Sequence, residues 1–239
     1  MRGREGVACT KKVKNNLLAA VLILTAIPPT TKVGQAVVEH SCFLISQKLL
    51  ETHEVSLTAA HCARTLIAAS ASGNILLRCC VKLLMPALIE YIAKMVPLVN
   101  DGSISESHAT AINEVWKAFA MFFGSLTEAA RTRLLGVLLP TISLLLANSQ
   151  NSPSPVVAQS IKQFLSYAAI SPTAFKEAAS KLDAPTRELL ETSIRRAVGG
   201  GPQTAALQNT LKPQISLRSF WSRWALASIV ITVPINLHQ

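Results

Sequence analysis

Residues 83–93 read LLMPALIEYIA and residues 137–147 read VLLPTISLLLA, and the two stretches align without a gap, Pro86 falling on Pro140. Each is apolar nearly all round. An amphipathic surface helix would carry one apolar stripe and a half-buried strand would alternate, so neither description fits. Each stretch also follows a less hydrophobic, Ala-rich segment, residues 55–70 before the first and 106–123 before the second. Two copies of a helix pair, the second member needing apolar cover on every side, form the pattern of a stacked α-solenoid. Neither pair can bury its own apolar surface, so neighbouring pairs must cover it.

Composition supports the same class. Half of the 239 residues are hydrophobic, 15% are charged and 5% are aromatic, and Ala and Leu carry most of the apolar content. Those two residues have high helix propensity, whereas strands favour β-branched and aromatic side chains. Ten glycines are few for an all-β chain of this length, since such folds need turn residues at short intervals. The expected fold is all-α: an α-solenoid of stacked antiparallel helix pairs, HEAT/armadillo-like, with irregular ends.

Along the chain the pattern predicts helices over 11–27, 30–50, 55–70, 75–96, 106–123, 126–147, 156–169, 172–181 and 184–198. In the second, Val33, Ala36, Val37, His40, Phe43, Leu44 and Leu50 fall broadly on one face. Ser103 with Glu106, and Ser125 with Glu128, have the spacing of capping boxes at the starts of the fifth and sixth helices. Asp183 is the expected N-cap of the last, with Pro172 and Pro185 in first turns and Gly199-Gly200-Gly201 as a stop. The chain therefore divides into a disordered basic N-terminus (1–10), a helical repeat domain (11–198) with loops near 97–105 and 148–155, and an irregular tail (199–239) with an apolar end.

The net charge of +10 raises the question of a nucleic-acid partner. Its distribution excludes one: the basic side chains concentrate at the two ends and form no stripe with interleaved aromatics. The flanks Lys11–Lys14 and Arg218–Arg223 read first as solvated ends, and second as contacts to acidic partners or a peripheral membrane surface. Five cysteines (Cys9, Cys42, Cys62, Cys79, Cys80) lack the spacing of a metal site or a disulfide framework and read as reduced core thiols. Residues 1–30 carry a basic start and the apolar run Leu17–Ile27, as a targeting segment would, but Pro28-Pro29-Thr30-Thr31 stands where a small-x-small cleavage site belongs. A helix ending at a Pro-Pro turn is the plainer account. A small secreted or membrane-attached protein is the alternative.

One hexapeptide points elsewhere. Leu57–Cys62, LTAAHC, resembles the histidine signature of trypsin-like serine proteases, Cys42–Ser46 loosely resembles the preceding strand, and Asp101 lies at a plausible spacing for the acid. That chemistry needs a serine nucleophile beside its base. Gly199 stands at the serine position and no GDSGG occurs, so there is no acyl-enzyme to form. The five histidines (His40, His53, His61, His108, His238) make no HxH or HxxxH pair, and no glycine-rich loop follows a strand. The sequence thus names no catalytic, cofactor-binding or metal-ligating residue, and no cofactor is expected.

The paired helices with a proline inside the apolar second member resemble HEAT repeats over residues 11–198. The segments PTAFKEAASKLDAPTRELLETSIRRAV (172–198) and KPQISLRSF (212–220) are similar to the C-terminal end of the large HEAT-repeat accessory proteins of the clathrin adaptor machinery. The resemblance implies a non-catalytic scaffold, cytoplasmic and peripheral to Golgi and endosomal membranes, with adaptor and coat subunits as partners. Grooves between successive helices would take a helix or an extended peptide. Because the first helix is uninterruptedly apolar over Leu17–Ile27, an exposed apolar patch is expected there, to be met by self-association or a further repeat.

Overall fold

A computed structural model describes residues 2–28, 31, 33–51, 53–74, 77–146 and 155–199. They form nine helices: α1 (Arg2–Ala26), α2 (Gln35–Leu49), α3 (His53–Ala71), α4 (Arg78–Asn100), α5 (Glu106–Ser125), α6 (Glu128–Leu146), α7 (Pro155–Ile170), α8 (Pro172–Ser180) and α9 (Ala184–Gly199). There is no strand among the described residues, and the all-α, paired-helix expectation holds. Both prolines of the opening repeat lie inside helices, Pro86 in α4 and Pro140 in α6. Of the expected linker at 148–155 and tail at 199–239, Pro155 opens α7 and Gly199 ends α9, and the rest lies outside the described residues.

Several boundaries differ from the sequence reading. α1 starts at Arg2, so residues 2–10 are helical where a disordered segment was expected. α4 continues through Pro97 to Asn100, which leaves only residues 101–105 as a loop. The capping serine of α5 is Ser105, whose Oγ accepts the His108 N–H at 3.3 Å, and not Ser103. Ser125 belongs to the end of α5, where its Oγ donates to the Phe122 carbonyl at 2.7 Å. Asp183 does cap α9, accepting the Thr186 N–H at 3.2 Å.

The chain divides into two compact units. The first holds α1–α5 and the start of α7 as far as Gln163. In it α1 packs on α3, α3 on α5, and α2 on α4, while α3 also meets α2 and α4. Alternate helices therefore stack into two rows. Ser56, near the start of α3, meets the Tyr91 hydroxyl in the second half of α4, a pairing that requires these consecutive helices to run antiparallel. Gly73 (φ +94°) and Gly102 (φ +69°) turn the chain after α3 and α4 in the left-handed conformation that glycine alone adopts without strain.

The α3–α5 contact is the most extensive of the unit. α3 presents Ala59, Ala60, Cys62 and Ala63, all fully buried, and α5 brings Ala111, Ile112, Val115, Trp116 and Phe119, also fully buried. Both helices bury small side chains, Ala118 of α5 among them, which lets two helices approach closely without a void. Within the hexapeptide LTAAHC, Ala59, Ala60 and Cys62 are buried and His61 is exposed. The Trp116 indole N–H donates to Ser160 Oγ of α7 at 2.9 Å, and its ring meets Phe119 edge-on at 5.6 Å.

The second unit holds α6, the end of α7 from Phe164, α8 and α9, with α6 packed on α8 and α9. α6 is long and apolar enough to cross a membrane. Here Leu135, Leu138, Leu139, Ile142 and Leu145 are instead fully buried, which makes it a core helix. Phe164 and Phe175 close the unit edge-to-face at 4.8 Å.

The Trp116 anchor gives a graded test. Ser160→Ala removes the acceptor of the indole N–H and should cost about 1 kcal/mol, while Trp116→Ala should cost about 3–5 kcal/mol. Urea unfolding followed by circular dichroism reads both values.

Candidate interaction surface

A polar ridge runs over the α3–α5 seam. Glu114, one of the few buried charged side chains, is surrounded by three basic groups. Its Oε2 lies 2.8 Å from Arg64 Nε and 3.4 Å from His61 Nδ1, and its Oε1 accepts from Lys117 Nζ at 2.6 Å. Arg64 Nη2 is in turn 3.1 Å from His61 Nδ1. Burial alone would raise the Glu114 carboxyl; the Lys117 hydrogen bond and the Arg64 charge outweigh it and hold the group below its ordinary value. One carboxylate thus fixes three basic side chains, with Lys117 and His61 about half exposed. With Glu114 ionised, Arg64 and Lys117 leave the ridge one positive charge in excess.

A second carboxylate joins neighbours in the other unit. Glu128 Oε1 accepts from Ser171 Oγ at 2.5 Å and from the Ala174 N–H at 3.1 Å. The Ser171 hydrogen bond leads in holding this carboxyl below its ordinary value. Glu128 therefore caps α8 across space, whereas its sequence position suggested a capping box at the start of α6. One turn on, Thr132 Oγ1 donates to Glu177 Oε2 at 3.2 Å. The two contacts advance in the same direction along both helices, so α6 and α8 run parallel, as alternate members of a repeat must.

No group of three His, Cys, Asp or Glu among the described residues is placed to hold a metal ion. The five cysteines are free thiols. Burial pushes the Cys62 thiol up to about 12, which leaves it an unreactive core group. Cys42 of α2 and Cys80 of α4 are both fully buried, and their thiols hydrogen-bond to each other, Cys42 falling and Cys80 rising from the ordinary value. His61 sits mid-α3, Asp101 follows α4 and Gly199 ends α9.

The exposed apolar patch expected at the first helix is present. α1 buries Leu17, Val21 and Leu24 and leaves Leu18, Leu22 and Ile23 outside, 44%, 68% and 60% exposed. On α2 the sequence reading chose the wrong face. The core side is Val38, Cys42, Ile45 and Leu49, while Val37 and Phe43 are 53% and 63% exposed and His40 is exposed with them.

Against known families, the chain matches the one described as LAA1-like, C-terminal TPR repeats, over residues 34–206. No curated protein and no solved structure matches the chain. The match opens at Gly34, the residue that precedes α2, so α1 lies ahead of it. The repeats carry the TPR description where HEAT was expected. From His53 to Glu106 the pair repeats at roughly 50 residues, against 34 for a standard TPR and about 40–47 for HEAT. Helices of 19 and 23 residues (α3 and α4) account for the longer period.

The pH dependence of folding follows from Glu114. Its depressed value means its stabilisation is complete above the ordinary value of 4.5 and fades as pH falls through the folded-state value. Glu114→Gln should lower stability at neutral pH and flatten the loss on acidification, in thermal melts recorded across that range.

Proposed function

Because the chain belongs to the LAA1-like family of C-terminal TPR repeats, we propose that it is a non-catalytic scaffold holding protein partners in clathrin-adaptor-dependent vesicle traffic between endosomes and the Golgi. The observation that carries the reading is the family match over residues 34–206, which takes in the helices α2–α9. The similarity of residues 172–198 and 212–220 to clathrin-adaptor accessory proteins supports the choice of pathway. In that setting the chain is cytoplasmic and peripheral to the membrane, and its partners are adaptor and coat subunits.

Helical repeats act by offering rows of side chains at fixed separations. The ridge at Arg64, Glu114 and Lys117 is such a row, with its long basic side chains already held in place. A partner segment with acidic residues at helical spacing would meet Lys117 and His61 with less ordering cost than mobile lysines impose.

Affinity capture of the tagged chain after mild crosslinking tests the reading. Adaptor and coat subunits should be recovered, and Lys117→Glu should reduce their yield severalfold. Recovery of secretory-pathway chaperones with no coat component contradicts the reading and favours a secreted or membrane-attached protein.

A further inference from the structure

We infer that the outward face of α1 is a docking site for an anionic lipid surface. Two features of one helix carry this. Its first half is basic, with Arg2, Arg4, Lys11, Lys12 and Lys14 against a single acidic residue, Glu5. Its second half has no charged side chain from Asn15 to Ala26, and Leu18, Leu22 and Ile23 stand exposed.

The two features share a face. Leu17, Val21 and Leu24 recur at helical spacing on the buried side, and the opposite side carries the exposed Lys11, Lys12, Leu18, Leu22, Ile23 and Ala26. From Lys11 to Ile23 this stripe is about 18 Å long at 1.5 Å per residue. Lying in the plane of a bilayer, it would sink its apolar half into the boundary between headgroups and acyl chains. The lysines would then stand level with the phosphates.

A second copy of the chain fits the same stripe less well. Packed antiparallel along its length, each copy would set Lys11 and Lys12 against the other's Leu22 and Ile23. Packed parallel, the lysines would face lysines. A lipid surface accepts both halves of the stripe at once, because it is anionic above and apolar below. The inference does not rest on the adaptor reading, since α1 precedes the family match.

Flotation of the full chain with lipid vesicles tests it. The chain should float with vesicles of phosphatidylcholine and phosphatidylserine, and far less with phosphatidylcholine alone. Lys11→Ala with Lys12→Ala should weaken binding on the order of twentyfold, a few-fold for each lysine near an anionic surface, and reduce its salt sensitivity. Leu22→Asp with Ile23→Asp should abolish binding with the helical circular dichroism unchanged, both side chains being exposed. Flotation that ignores phosphatidylserine, or that survives both double variants, overturns the inference. So does a lipid-free dimer, detected by sedimentation, that Leu22→Asp with Ile23→Asp dissolves, for the patch is then a contact between copies. Loss of lipid binding with adaptor recovery unchanged would remove this inference and leave the scaffold reading standing.

Discussion

The first unit depends on how closely α3 and α5 approach. Ala59, Ala60 and Ala63 of α3 and Ala111 and Ala118 of α5 are fully buried small residues, and Glu114 of α5 meets Arg64 and His61 of α3 at the edge of the seam. Enlarging one of those alanines would force the helices apart or push a buried neighbour off its rotamer, and cores accommodate neither change cheaply. Because α3 also meets α1, α2 and α4, a shift at this seam would be felt throughout the unit. The hexapeptide that resembles a protease signature belongs to the buried core through Ala59, Ala60 and Cys62.

Two glutamates add directional ties where apolar contacts give none. Glu114 reaches from α5 to Arg64 and His61 of α3, and Glu128 reaches from α6 to the first turn of α8. Both join alternate helices, the ones that stack. Apolar packing tolerates sliding by a fraction of a turn, whereas a carboxylate held by several donors does not. Ser171, which stands at the N-cap of α8, makes no capping bond of its own. Its hydroxyl donates to Glu128, whose carboxylate takes over the cap.

Helices and their pairing were legible because an apolar stretch of helix length, repeated with its proline, leaves few alternatives. Details that depend on neighbours were not. Glu128 has the spacing of a capping box, yet the donors nearest its carboxylate belong to α8, some 45 residues away. α2 offers two series at helical spacing, Ala36, Val37, His40, Phe43 and Leu44 against Val38, Cys42, Ile45 and Leu49, and only its neighbours decide which is buried. Within Gln35–Leu49 the i, i+4, i+7 series starting at Val38 is the buried one. The start of α1 was hidden by Gly3, Gly6 and Thr10, weak helix formers. The exposed patch on α1 was legible for a simple reason: a helix apolar all round with few neighbours must leave one side bare. The polar ridge left no sequence signal, since His61 and Arg64 are far from Glu114 in the chain and meet only through the α3–α5 seam.

The central claim is that α3 and α5 form one shared core on which the unit is built. Amide hydrogen exchange of the full chain, resolved by segment with mass spectrometry, tests it most directly. Residues 59–67 and 111–119 should exchange most slowly in the first unit and should lose protection together as denaturant is added, the mark of one cooperative element. Rapid exchange of either segment, or loss of the two at different denaturant concentrations, would show that the seam is not the core and would contradict the account.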